Sequence, residues 1–489
     1  MVSPVSQISS SDWPAEAARA PSTILRSDAF PQITPEARIY ALKELARRAG
    51  VSRDFFEKWV IQITGDHTIV SFGTYPGCKI QFQHRLEGLF YKILQGTIPV
   101  ARARWFAASD DGVSGPDLIL PFCYSETDSP APLFRVTSDS TLTCCFDLSL
   151  SILLTLSRTE EVLCPLRDEH DRFPASASLA SLHGFLDRPV LDELGSAFQQ
   201  VLSRLLPSWR PRPRVLRYKL THDIDDVGIP FSLHTAIGHG LKRRRPVAAA
   251  RDLLTPFTSV APADLAMVRT LAAISTSRGL HSAFYWKASP RGPHDSGYDP
   301  RHRKVQRVID FLRNRGFELG FHPGYETFGN RCKLAAELEC ARRALRATSL
   351  GGRQHYLRWS PSTWLDWEVC GLSYDSTLGF ADRFGFRAGT AFPYSPWSFK
   401  DNREINLIEI PLTLMDCTPV KYMKLNRTEG LQQITALVRR VADVGGVFSL
   451  LWHNTPLLDP DYDDWYENVL DLLEGAKSFE LPADSRELW

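Results

Sequence analysis

From residue 215 onward, short apolar runs alternate with longer stretches in which apolar residues recur every three or four positions. Val215–Leu220, Ser282–Trp286, Glu318–Phe321, Tyr356–Trp359, Leu372–Asp375, Ile405–Ile410 and Val447–Trp452 read as strands. Between them Pro262–Ser277, Arg303–Arg315, Arg331–Ala347, Ser362–Cys370, Glu429–Val444 and Tyr462–Ala476 read as helices. Gly316, Gly371 and Gly445 stand where helix C-caps want a residue with positive φ. Repeated βα units predict a parallel sheet with right-handed crossovers, open or closed. Seven strands predict a distorted (β/α) barrel, one strand short of the eight-stranded kind. In either form, function collects at the C-terminal strand ends.

The pattern upstream is different. Residues 32–206 read as a smaller mixed α/β N-terminal domain. Its first helix begins at Thr34, an N-cap residue ahead of a 3-4 apolar periodicity, and stops at Gly50. Short apolar runs such as Thr68–Phe72 and Asp117–Phe122 follow, separated by Gly, Pro and Asp. Asp147–Thr159 reads as a buried helix. The polar string after it, from Arg158, Glu160 and Glu161 to Asp168, Glu169, His170, Asp171 and Arg172, has two readings. One is metal or catalytic duty; the other, preferred, is a surface loop laced by ion pairs. A helix over Ser196–Leu206 closes the region. Residues 207–214, Pro207-Ser-Trp-Arg-Pro-Arg-Pro-Arg214, form a stiff linker and the domain boundary, leaving 215–489 as the barrel. Residues 1–31, rich in Ser, Pro and Ala, read as a loose lead-in.

Composition narrows the class. The chain has 489 residues, 43% hydrophobic and 23% charged, with net charge +1. That balance argues against bulk electrostatic binding to nucleic acid or to an anionic membrane surface. The basic run Lys242-Arg-Arg-Arg245 is read as a solvated helix end, with a phosphate-contacting patch as the alternative. No apolar run approaches the roughly 20 residues that span a bilayer. The start of the chain lacks a basic stretch followed by an apolar core, so no secretory signal is expected. Nine scattered cysteines without a C-x-x-C pair fit a reducing compartment. A cytoplasmic protein is the expectation; the sequence leaves its oligomeric state open.

The strand-end rule then selects residues. The first strand runs into Thr221-His-Asp-Ile-Asp-Asp226, with three carboxylates in four positions. Such crowding is costly to desolvate, and a cation or a reaction explains it as readily as a capped turn does. Gly320-Phe-His322 and Glu326 follow the third strand. Arg353-Gln-His-Tyr-Leu-Arg358 with Trp359 comes from the fourth, Tyr374-Asp375 and then Arg387 from the next, and Leu451-Trp-His453 from the last. Taken singly, a histidine such as His453 is more often structural than catalytic, and the tryptophans are more often core than sugar platform. Their coincidence at strand ends favours a site.

These residues resemble the motifs of the polysaccharide deacetylases, carbohydrate esterase family four, also called the NodB-homology fold, over roughly residues 215–475. The resemblance implies Asp223 as general base within Thr221-His-Asp-Ile-Asp225, and Asp225 as metal ligand. It implies His322 as a second ligand, in a motif whose second histidine is replaced by Glu326, the expected third ligand if the loop there winds as one helical turn. Arg358 matches the arginine that orients the base, and His453 in Leu451-Trp-His453 the general acid. Alternation puts Asp223 and Asp225 on one side of the strand, which decides for them over the adjacent pair Asp225-Asp226. The implied activity is metal-dependent removal of an acetyl or other acyl group from an N-acetylated sugar or saccharide intermediate. The ligand set suits Zn²⁺, with Fe²⁺ or Co²⁺ as alternatives, and a metal-free site is the remaining option. Trp359, Tyr374, Asp375, Arg387 and Trp452 are the expected substrate-binding residues. Ser157-Arg-Thr-Glu-Glu161 and Asp171-Arg-Phe-Pro174 resemble the signature of an uncharacterised domain that precedes the deacetylase part in one bacterial branch. The alternatives are a carbon–nitrogen hydrolase of a small amide or cyclic imide, and a catalytically silent barrel acting as a binding module.

Overall fold

The structure is a computed structural model that describes residues 31–106, 117–124, 131–138, 140–462 and 464–482. Nearly all of the lead-in expected over 1–31 therefore lies outside the described residues.

The first helix, Pro35–Arg48, starts as its sequence requires. Thr34 Oγ1 accepts the Ala37 N–H at 3.2 Å, and the chain leaves through Gly50 at φ +77°. Seven strands then form one mixed sheet: β1 (Trp59–Ile63), β2 (His67–Phe72), β3 (Lys79–Gln83), β4 (Val100–Phe106), β5 (Leu118–Pro121), β6 (Ala131–Ser138) and β7 (Thr141–Cys144), in the order β1-β2-β3-β7-β6-β4-β5. Period-two alternation sends Val70, Phe72, Ile80 and Phe82 inward, each contributing roughly 1.5–3 kcal/mol by burial. The helix Leu148–Leu156 is capped by Asp147, whose Oδ1 accepts the Leu150 N–H at 3.1 Å, and all nine of its side chains are buried. A helix covered on every side has neighbours on every side. Pro35–Arg48 packs against both this helix and Val190–Leu205.

The second half is built on parallel strands. β8 (Arg217–Ile224) lies between β9 (Ser282–Trp286) and the late strand Val447–Leu451, and β10 (Glu318–Phe321) follows β9. β11 (Tyr374–Asp375), the hairpin β12 (Trp397–Ser398) and β13 (Arg403–Glu404), β14 (Ile408–Glu409), β15 (Leu414–Met415), β16 (Val447–Leu451) and β17 (Lys477–Ser478) complete the set. The principal sheet runs β10-β9-β8-β16-β15, with β17 also against β8, while β11 and β14 form a separate two-strand ladder. The closed seven-stranded ring expected from the alternation is thus not what the ladders form. The break falls at Tyr356–Trp359, expected as a strand. A single-residue bridge through Gly352, to Phe321 on one side and Asp375 on the other, stands in its place. A Cβ at Gly352 would collide with the Phe321 carbonyl, so only glycine passes there.

The polar string 158–172 divides: Glu169 and Asp171 are exposed and Arg172 pairs with Asp168 at 2.7 Å, as a surface loop laced by ion pairs would have it, but its start is not solvated. Arg158, Glu160 and Glu161 are buried, and Glu161 receives Arg387 through Nε at 2.9 Å and Nη2 at 2.6 Å. Arg48 pairs with Asp192 at 3.0 Å within the first half and reaches across to Thr390 Oγ1 at 3.1 Å. The proline-rich stretch is also tied down, since the Arg212 N–H donates to Gly50 O at 2.8 Å. The two halves of the chain are therefore joined by a buried ion pair and buried hydrogen bonds rather than merely tethered. No helix among the described residues is long and apolar enough to cross a membrane.

Candidate active site

β8 carries Asp223 near its end, and the chain continues through Asp225. Gly320, two residues before His322, lies against the Tyr285 ring, which lets β10 deliver His322 beside β9. Past Gly352 the chain makes a tight turn in which Tyr356 and Leu357 take φ of 61° and 56°. Non-glycine residues held there are strained, and the turn directs His355 to the same place as His322. The result is a cavity of about 410 Å³ lined by Asp223, Asp225, His322, His355, Lys287 and His453 at its floor, with Tyr356, Tyr422, Tyr462, Leu357 and Met415 among its walls.

Asp223 is buried and bonded by Arg353 Nη1 at 2.9 Å; the same nitrogen reaches Thr221 Oγ1 at 2.9 Å. The expected arginine, Arg358, is elsewhere. It donates to His170 O at 2.9 Å and Tyr325 O at 2.8 Å, and its guanidinium lies over Tyr325 and Phe328. Placing a strand at Tyr356–Trp359 put the strand end seven residues too late. With the bridge at Gly352, Arg353 is the first residue past it.

Asp225, His322 and His355 each offer one ligand atom, and the three atoms lie within 4.8 Å of one another. His322 Nδ1 is 2.7 Å from Arg353 O, so that nitrogen carries the proton and Nε2 faces Asp225 Oδ1 at 3.1 Å with its lone pair. Burial pushes the His322 pKa down despite the nearby carboxylates, which keeps the ring neutral as a ligand should be. Burial acts to raise Asp225, yet Lys287 and then His355 hold it well below the usual carboxylate range. One oxygen and two imidazole nitrogens suit a borderline divalent cation. Glu326 does not join them: it is exposed and its nearest charge is Lys333 at 3.4 Å. The turn Tyr325–Thr327 after Pro323-Gly324 carries it away from the cavity.

Lys287, buried just past the end of β9, is, with Arg353, His355 and Asp416, a residue that sequence reasoning missed. Its Nζ stands 2.9 Å from Asp295 Oδ1, 2.9 Å from His355 Nε2 and 3.3 Å from Asp225 Oδ1. Lysine directly after a buried strand that neighbours an acidic one was the available signal.

Across the cavity, His453 donates its backbone N–H to Asp416 Oδ2 at 2.7 Å and places Nδ1 2.9 Å from Asp416 Oδ1. Burial works against its charge, but Asp416, then Asp225 and Asp223, raise its pKa to about 9. Nε2, 3.6 Å from Asp225 Oδ2, therefore carries a proton at neutral pH. The neighbouring His222 is structural by contrast: Nδ1 meets Trp452 O at 2.8 Å, and burial lowers its pKa to about 4.

The five residues expected to bind substrate lie outside the cavity lining. Trp359 packs edge-on against Trp364 at 4.6 Å, and Trp452 lies 5.0 Å from the Tyr466 ring. Tyr374 bonds Tyr285 and Glu318, and Arg387 is spent on Glu161. Asp375 is fully buried; burial, with Glu409 paired across the β11/β14 ladder, leaves its pKa at about 7. Conversely Arg172, from the N-terminal half, lines the cavity and donates to Tyr356 O at 3.3 Å.

Residues 30–207 match a family of unknown function, DUF7033. No curated protein matches the chain by sequence. Among solved structures, a provisionally named polysaccharide deacetylase from Mycobacterium smegmatis is similar at 16% identity and a TM-score of 0.36, over 55% of this chain and 86% of that one. PuuE allantoinase is similar at 13% identity and 0.38, over 58% and 94%. A provisionally named polysaccharide deacetylase involved in O-antigen biosynthesis, from Bordetella bronchiseptica, is similar at 17% identity and 0.27, over 58% and 89%. At such scores the chemistry is decided by the geometry of the cavity.

Proposed function

We propose that this protein hydrolyses a non-peptide carbon–nitrogen bond, removing an acetyl or other acyl group from an N-acylated sugar intermediate. The observation that supports this most is the pair of fixed proton handlers around one cavity: Asp223 held by Arg353, and His453 held by Asp416. Amide hydrolysis needs a base for the attacking water and an acid for the departing nitrogen. Asp223, kept in place by a charge-assisted bond to Arg353, serves as the base. His453, with Nδ1 committed to Asp416 and a pKa near 9, delivers its Nε2 proton to the leaving amine. Asp225, His322 and His355 would hold a Zn²⁺-like ion, which supplies Lewis acidity toward the acyl carbonyl.

The cavity also suggests the kind of sugar. Arg172, Arg243 and Lys421 line it, which suits a phosphate-bearing substrate, and Tyr356 and Tyr422 offer ring faces to a pyranose. A nucleotide- or lipid-linked N-acetyl sugar satisfies both. The test is to measure acetate release from such conjugates beside the metal content of the purified protein. Acetate release with bound metal is expected; neither acetate nor metal would sink the reading.

Lys287 favours a second reading, a hydrolase of a small amide or cyclic imide that works without metal. Its Nζ touches two of the three candidate ligands and supplies positive charge from the chain itself. Turnover that survives exhaustive chelation, on a small imide rather than a sugar, would decide for it.

A further inference from the structure

Between the first two strands of the parallel sheet, residues 231–260 form a helical hairpin of which the chemistry above uses only Arg243. We propose that this hairpin docks the protein on an anionic lipid surface. Its inner face is built to hold it closed. Ala236, His239, Ala248 and Asp252 are buried, Gly240 faces Ala249, and His239 Nδ1 lies 2.6 Å from Asp252 Oδ2. The hairpin is fixed beside the cavity by Arg243, which lines it and donates to Thr455 O at 3.4 Å.

The outer face is apolar. Leu233, Ile237 and Leu241 are spaced by four on the first helix, and Val247 and Leu254 by seven on the second. Leu241 is 77% exposed, Val247 76% and Phe257 86%. Nine of the nineteen large hydrophobic side chains exposed among the described residues fall in these thirty positions. Single exposed hydrophobics are ordinary, but such a concentration marks an interaction surface.

The charge names the partner. The turn joining the helices is Lys242-Arg-Arg-Arg245, with Lys242 and Arg244 exposed, and Arg251 falls between Val247 and Leu254 on the second helix. From residue 227 to 260 the only acidic residue is Asp252, and it is turned inward to His239. A short apolar face ringed by cations with no exposed acid fits the interface of an anionic bilayer, with apolar side chains in the acyl boundary and cations among the phosphates. Docked this way, the cavity's Arg243 wall stands next to the membrane, where a lipid-linked substrate presents its headgroup.

The experiment is co-sedimentation of the full chain with phosphatidylcholine vesicles, with and without phosphatidylglycerol. Binding to the anionic vesicles alone, weakened by salt, is expected. Leu241→Ser with Phe257→Ser should abolish it. Lys242→Glu with Arg244→Glu should weaken it by at least about fivefold per cation lost. Neither pair touches the cavity, so thermal melting and turnover on a soluble substrate serve as controls for folding. Absence of vesicle binding, or binding unchanged in both variants, overturns the proposal. So does a dimer in light scattering that the serine variant dissolves, which would make the face a contact between copies, or retention by an acidic protein without any by vesicles.

Discussion

The charges that join the two halves of the chain and most of the charges on the cavity floor are buried, with Asp225 and His453 part-exposed, yet their partners leave different things over. Between the halves every strong group is spent. Glu161 takes both arms of Arg387 and the Nε of Arg158, while Asp192 takes Arg48, Thr390 Oγ1 at 2.6 Å and the Ala391 N–H at 2.6 Å. In the cavity each group is held from behind by one partner and keeps its other atom for the space in front. Arg353 holds Asp223, its carbonyl holds His322 Nδ1, and Asp416 holds His453 Nδ1. Burial of charge is thus not itself a sign of function. What distinguishes a site is a saturated back and an open front, as preorganisation for chemistry requires.

The largest effects should separate these two networks. Asp223→Asn keeps the shape and the Arg353 contact but removes the base, so turnover should fall about a thousandfold with melting temperature nearly unchanged. Collapse of the fold instead would move Asp223 into the structural class. Glu161→Gln should do the reverse. Removing one partner of a buried ion pair costs about 3 kcal/mol, read as a lower denaturant midpoint, with bound metal and activity of the folded fraction intact. Burial raises the Glu161 pKa but Arg387 and Arg158 outweigh it, so its folded pKa lies below the ordinary 4.5. Its stabilisation is therefore present above that value and is lost as pH falls through the folded pKa. The wild type should be acid-labile in a way that Glu161→Gln is not.

Two smaller effects sharpen the description of the cavity. His453 stands near pKa 9 against an ordinary 6.5, held there chiefly by Asp416 against burial. Its protonated form is favoured by the fold, so that stabilisation is whole below 6.5 and is lost as pH rises through 9. Activity should show an alkaline limb near 9. Asp416→Asn should move the limb down by at least one unit while leaving the rate below 6.5 little changed, measured as kcat against pH. An unmoved limb would assign the acid to another group. Lys287→Met removes the positive charge 3.3 Å from Asp225 Oδ1. At an effective interior dielectric of about 20, relief of that repulsion should tighten Zn²⁺ binding in calorimetry by about tenfold or more. Weaker binding would mean that Lys287 orders the ligands rather than opposing the ion.

How much of this was legible depended on where the backbone is regular. Ser282–Trp286 and Glu318–Phe321 are strands with the expected ends, because their apolar runs are bounded and end in buried residues, so the strand-end rule reached Asp223, Asp225 and His322, while their expected roles came from the family resemblance. Around Gly351-Gly352 the chain crosses the sheet with one bridging residue and then takes two left-handed positions, and no periodicity survives that. Arg353 and His355 were accordingly read past in favour of Arg358 and Glu326. The aromatic and charged residues named as substrate contacts failed for another reason. Sequence carries the strand end but not the side of the sheet: Trp359 and Arg387 lie with Glu161 in the network between the halves, and Tyr374 is bonded to Tyr285 and Glu318. The hairpin 231–260 was legible only as a basic run, because its helices are short and its apolar face is turned outward.

The smallest predicted effect bears on that same misreading. Glu326 sits on a short turn, exposed, with Lys333 at 3.4 Å as its charged neighbour. Such a surface pair contributes at most a few tenths of a kcal/mol. Glu326→Gln should therefore leave metal affinity, turnover and melting temperature within error of wild type. His355→Gln, at the position the geometry favours, should lower metal affinity at least tenfold, since it deletes one of three donors that lie within 4.8 Å of each other. If the order were reversed, with Glu326→Gln releasing the ion and His355→Gln retaining it, the turn after Pro323 would have to rewind on metal binding. The open front of the cavity would then be completed by a movement of the chain rather than by residues already in place.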